Sequence, residues 1–137
     1  MTVALQVEGE FTERLLLERL RISGQMRNAH RHDERTTENG AYGLALLVLC
    51  RLTEKTVVSQ SWQGTGFDYW LAPEGDDQFQ DSILLEISGI RRGTEGAIRG
   101  RVREKIIQMQ NHSPVGMEHG LIAIVELSRP LLRVVKP

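Results

Sequence analysis

The chain has 137 residues, 40% of them hydrophobic and 26% charged, with a formal net charge of −1. That length suits one domain with one real core, and the balance is that of a globular protein rather than a disordered one. The near-neutral total excludes a globally basic nucleic-acid binder, and the longest apolar run, Gly43 to Cys50, is far short of the roughly 20 residues that cross a bilayer.

Val3 to Val7 alternates loosely and reads as a short strand. From Glu10 onward, Phe11, Leu15, Leu16 and Leu20 recur at helical spacing with Glu13, Arg14, Glu18 and Arg19 between them, which predicts an amphipathic helix ending near Gly24. The opening residues have no basic stretch followed by an apolar one, so a secretory signal is not expected and a cytoplasmic location is. Gln25 to Arg35 reads as a polar loop. It contains His30-Arg-His-Asp-Glu34, which lacks a second ligand pair at zinc-like spacing.

A second helix is expected to open at Thr36-Thr37-Glu38, where a threonine can cap the N-terminus and Glu38 suits the helix dipole. It runs through AYGLALLVLCRL with almost no polar face, which predicts a buried central helix carrying the only cysteine, Cys50, as a small hydrophobe. One cysteine excludes an internal disulfide and a thiolate metal cluster. TVVSQSW reads as a strand, Gln63 to Gly66 as a turn, FDYWLA as the antiparallel partner strand, and PEGDDQFQDS as a polar loop. ILLEISGI has the apolar, β-branched character of an interior strand. Gly93-Thr94 ends it and starts a third helix with Ile98, Val102, Ile106 and Met109 on one face. After a loop from Asn111 to His119, GLIAIVEL reads as a fourth apolar strand and RPLLRVVKP as a short edge strand. The order from residue 36 is α-β-β-β-α-β, an α/β architecture with helices packed on a mixed sheet and an extra N-terminal helix.

Charge is unevenly spread along this frame. Gly64 to Glu86 holds Asp68, Glu74, Asp76, Asp77, Asp81 and Glu86 with no Lys or Arg. Ile87 to His112 holds Arg91, Arg92, Arg99, Arg101, Arg103 and Lys105 against Glu95 and Glu104. An acidic segment beside a basic one provides what a cation site next to a phosphate-binding surface needs, although two solvated faces would read the same way. Asp68 and Glu86 lie amid strand hydrophobes, where a carboxylate is unfavourable unless paired, hydrogen-bonded or bound to a cation. If their strands are neighbours, they can converge on one hard cation, with Glu38 closing the site from the helix. Mg²⁺, or Mn²⁺ in its place, suits such oxygen ligands.

The α-β-β-β-α-β order, the Gly-x-Gly-hydrophobic-Asp of GTGFD and the hydrophobic-Glu-x-x of LEIS resemble the core of the PD-(D/E)xK (restriction-endonuclease-like) nuclease superfamily over about residues 36–127. The resemblance implies a divalent-metal-dependent nuclease. Asp68 and Glu86 would be the motif acids, Glu38 the helix acid, and nucleic acid the partner, with DNA ahead of RNA. It departs at Ser88, where the family has a lysine. A serine hydroxyl carries no charge to orient or activate a water.

On the third helix Arg101, Lys105 and Gln108 form a row bordering the apolar stripe, so Lys105 or Gln108 is the candidate replacement and Arg91, Arg92 and Arg101 the candidate phosphate contacts. Lys105 could instead extend past the core to water. The competing reading is a catalytically degenerate domain of the same fold that acts as a binding or assembly subunit of a larger complex, with a protein partner or a homo-oligomer; a third is a plain oligomeric structural protein, which leaves Asp68 and Glu86 without a reason. Tyr69, Trp62 and Trp70 could stack bases or pack the sheet. His112 and His119 flank a loop, and Ser59, Ser61 and Ser88 lack the nearby histidine of a serine hydrolase.

Overall fold

Strand β1 (Thr2–Gly9) turns back into β2 (Glu13–Glu18); a short helix α1 (Gly24–Ala29) leads to the long α2 (Asp33–Thr53). Then come β3 (Thr56–Gln60), β4 (Tyr69–Ala72), β5 (Ile83–Ile90), α3 (Glu95–His112), β6 (Gly120–Glu126) and β7 (Leu131–Val135). The computed structural model describes residues 2–18, 21–29, 31–61, 66–76, 81–112 and 119–137. All seven strands form one mixed sheet in the order β2-β1-β7-β6-β5-β4-β3. β5 and β6 are parallel and joined through α3, β4 runs antiparallel to both β3 and β5, and β1 lies parallel to β7.

Each face of the sheet has its own core. On one, Ala41, Ala45, Val48 and Leu49 of α2 pack against Leu71, Leu85, Ile87, Ala123, Val125, Leu132 and Val134. On the other, Ile98 and Met109 of α3 meet Ile122, Ile124 and Leu131. A fully buried Leu or Ile contributes roughly 1.5–3 kcal/mol, so these faces fix where the helices sit. β6 is covered on both faces, which accounts for its unbroken apolar run. Two aromatic pairs meet edge to face: Tyr42 of α2 with Tyr69 of β4, and Phe67, just before β4, with Trp70 within it.

Four sequence expectations are corrected. In place of the helix expected from Glu10 to Gly24, Glu13–Glu18 is a strand, with Arg19 and Leu20 outside the described residues. Pairing with β1 from Thr2↔Glu18 to Val7↔Glu13 turns Leu15 and Leu17 toward the α2-side core, and that tertiary burial overrides the helical spacing. Within the expected loop 25–35, Ser23 accepts the Met26 N–H at the head of α1, and α2 already begins at Asp33. α2 is not surrounded by protein, because its outward side leaves Leu47 67% exposed. β7 is not an edge, since β1 closes on its outer side. His30, Trp62, Gly64, Thr65 and Asp77 lie outside the described residues, as does most of the loop 111–119.

Ion contacts hold the far end of the sheet. Arg133 of β7 bonds Glu8 of β1 and both oxygens of Glu95 at the start of α3 (2.6 and 2.8 Å). The buried Glu126 carboxylate accepts from the Ser128 N–H (2.6 Å), the Ser128 hydroxyl (2.5 Å) and Arg129 Nε (2.5 Å). Burial would raise its pKa, but these donors outweigh burial and hold it below the usual range.

Gly89 sets the approach of α2 to β5. A Cβ there would stand 2.8 Å from Ala41 Cβ and 2.9 Å from the Thr37 carbonyl oxygen. Gly89→Ala is therefore expected to cost about 1–3 kcal/mol in urea unfolding, by forcing the first half of α2 off the sheet. An unchanged midpoint would show that the helix yields without penalty.

Candidate functional site

Asp68 stands where β4 begins to separate from β5. Its N–H donates to the Leu85 carbonyl and its carbonyl accepts from the Ser61 N–H, each at 2.8 Å, so its backbone is held from both sides. The register Tyr69↔Leu85 would next bring Ile87 opposite residue 67, but the Ile87 N–H donates to Asp68 Oδ2 at 2.7 Å instead. A side chain thus ends the β4–β5 ladder, and the strands part into a cleft of about 920 Å³. Its walls come from α2 (Thr37, Glu38, Tyr42), β5 (Glu86, Ser88) and α3 (Arg101, Lys105, Gln108), among others.

Glu86, one residue from Ile87 and only 3% exposed, turns its carboxylate to the α3 side. Lys105 Nζ lies 2.9 Å from Glu86 Oε1, and Gln108 Nε2 donates to the same oxygen at 3.1 Å. Lys105 also donates to Gln108 Oε1 at 3.2 Å, so the three side chains close a ring. The Lys105 side chain is 18% exposed, and its amine is engaged at the acids rather than extended to water. Asp68 and Glu86 are close enough for each to bear on the other's ionisation.

The electrostatics follow from burial. Burial and the neighbouring Asp68 charge push Glu86 up to about 7, against the pull of Lys105 and Gln108. Asp68 is raised by burial, offset by the bonds from the Ile87 N–H and the Tyr42 hydroxyl and by the Lys105 charge. Tyr42 is raised by burial and by the charges of Asp68, Glu38 and Glu86; it stays protonated and donates to Asp68 Oδ1 at 3.4 Å. Two carboxylates facing one ammonium leave a negative charge in excess. A proton or a cation can neutralise it.

Of the remaining sequence candidates, Glu38 is exposed on the cleft wall one turn before Tyr42. Among the described residues no three His, Cys, Asp or Glu side chains converge, so Glu38 stands apart from the carboxylate pair. Arg101 donates to Ser88 Oγ (2.6 Å) and to the Gly89 carbonyl (3.2 Å). The Ser88 hydroxyl therefore anchors an arginine. Arg91 lines the cleft and pairs with Asp33 at the head of α2, whereas exposed Arg92 is not among the lining residues. His112 is exposed and lines the cleft end; His119 is exposed on the approach to β6. Cys50 is half-buried against the α2-side core.

Tyr42 is the site residue that sequence reasoning missed. It is the hydroxyl within an otherwise apolar helical run, four residues after Glu38, and that was the available signal. No family model, curated protein or solved structure matches the chain.

The raised Glu86 pKa makes stability pH-dependent. Folded Glu86 keeps its proton to about 7, while the unfolded chain releases it near 4.5, so this contribution is fully present below the unfolded value and is lost as pH rises toward 7. Glu95 and Glu126 shift downward, which confines their effect to more acidic pH. Unfolding free energy in chelator is expected to fall from about pH 5 to about pH 8, and Glu86→Gln to flatten that slope. A parallel slope in the variant would assign it to another group.

Proposed function

We propose that the protein is a divalent-metal-dependent nuclease of PD-(D/E)xK type in which a lysine on α3 takes the place of the motif lysine. The observation that carries this reading is Lys105 Nζ at 2.9 Å from the buried Glu86, which with the half-buried Asp68 opens onto a cleft. The α-β-β-β-α-β order of α2, β3, β4, β5, α3 and β6 supports it as well.

The residues present fit a hard cation. Asp68 and Glu86 offer oxygen ligands with negative charge in excess of Lys105, and Mg²⁺ or Mn²⁺ would be held by these two carboxylates. Such an ion activates a water and stabilises charge on a phosphate. The chain's own groups do the rest. The Ile87 N–H and Tyr42 hydroxyl fix the Asp68 carboxylate, Gln108 bridges Lys105 and Glu86, and the Lys105 ammonium sets positive charge where a water would be oriented. Arg101, steadied by Ser88 and Gly89, presents its guanidinium beside the pair as a phosphate contact, and Arg91 lies at the mouth.

Purified protein is expected to cut DNA with Mg²⁺ or Mn²⁺, to stop in EDTA, and to lose at least about 100-fold in rate in Asp68→Asn. Mn²⁺ should raise the thermal midpoint of the wild type and not that of Asp68→Asn; cleavage that survives chelator would remove the metal from the reading.

Lys105→Met keeps the helix and its packing but removes the charge. It is expected to lower kcat by roughly 10- to 1,000-fold with little change in Mn²⁺ affinity. Wild-type rates in Lys105→Met would withdraw the lysine's role.

A second reading rests on the same contact. Lys105 already compensates Glu86, which suits a catalytically degenerate domain that binds nucleic acid or a protein partner through the cleft. Mn²⁺-independent binding of DNA without cleavage would favour it.

A further inference from the structure

The two edges of the sheet are built differently. The β3 edge is interrupted by a bulge between Val57 and Ser59, a device that discourages strand addition. The β2 edge has no such device. Its register with β1 is continuous over all six residues, it contains no proline, and among the described residues no strand lies on its outer side. Leu16 in its middle is 74% exposed.

The sequence of this edge, Glu13-Arg14-Leu15-Leu16-Leu17-Glu18, is self-complementary when run antiparallel to itself about Leu16. In that register Leu16 faces Leu16 of a second copy, Leu15 faces Leu17, and Arg14 faces Glu18, twice over by symmetry. Alternation places Arg14, Leu16 and Glu18 on the α3 side of the sheet and Leu15 and Leu17 on the α2 side, so every cross-strand pair shares a face. Centring on Leu15 instead would set Arg14 against Leu16, and centring on Leu17 would set Glu18 against Leu16. Only the Leu16-centred register matches both charges.

We infer that β2 is a homodimerisation edge, along which two copies join their sheets antiparallel about Leu16. The joined edges satisfy outward-facing backbone groups and cover Leu16 from solvent. This inference is independent of the chemistry in the cleft, which lies on the far side of β6 from β2.

Sedimentation velocity of the full chain across about 1–500 µM tests it, since so short a strand contact belongs to the smaller, weaker interfaces. The wild type is expected to dimerise. Arg14→Glu and Glu18→Arg should each weaken dimerisation at least roughly tenfold, because two attractive cross-strand pairs become repulsive. An equimolar mixture of the two variants should recover the dimer, since both charged pairs of the mixed dimer again set an acid against an arginine. Both residues are exposed, so circular dichroism should report an unchanged fold. A wild type that stays monomeric throughout, single variants that dimerise like the wild type, or a mixture that fails to recover would each overturn the inference.

Discussion

A buried carboxylate beside a half-buried one imposes the constraint around which the cleft end of the molecule is arranged. Asp68 and Glu86 cannot both ionise there without help, and the nearby groups supply that help from three directions. The Ile87 N–H comes from the sheet, the Tyr42 hydroxyl from one helix layer, and the Lys105 ammonium from the other. Each donor needs its own element at a set distance. Gly89, whose missing side chain lets α2 settle on β5, is therefore as much a part of the site as the acids.

The parting of β4 and β5 has the same origin. A sheet normally fills each backbone N–H with a neighbouring carbonyl, and here the side chain of Asp68 takes that role for Ile87. The acid both ends the ladder and occupies the opening that results. Ser88 and Arg101 extend the pattern: the strand supplies a small hydroxyl, and the helix supplies the charge.

What the sequence made legible follows from how local the determining interaction is. β5, α3 and β6 carry unbroken apolar runs or a clean helical stripe, and they lie where their patterns predict. The row Arg101, Lys105, Gln108 was readable because helical periodicity alone sets it beside the strand that precedes it. The hairpin strand β2 was not readable, because Leu15, Leu16 and Glu18 suit a helix until β1 offers a pairing partner. β7 looked like an edge for the same reason, since the strand that covers it comes from the other end of the chain. Tyr42 stayed hidden within an apolar run, where nothing local separates a packing tyrosine from one that donates to an acid.

The parallel pairing of β1 with β7 carries a consequence for how the molecule assembles. The stretch from α2 through β6 closes through short-range hairpins and one helical crossover. Arg133 and Glu8, by contrast, meet across a separation of 125 residues, among the longest loop closures a chain of this length can make. The β1–β2 hairpin is connected to the rest of the sheet through β7. During synthesis its leucines therefore lack their place in the sheet until β7 has emerged.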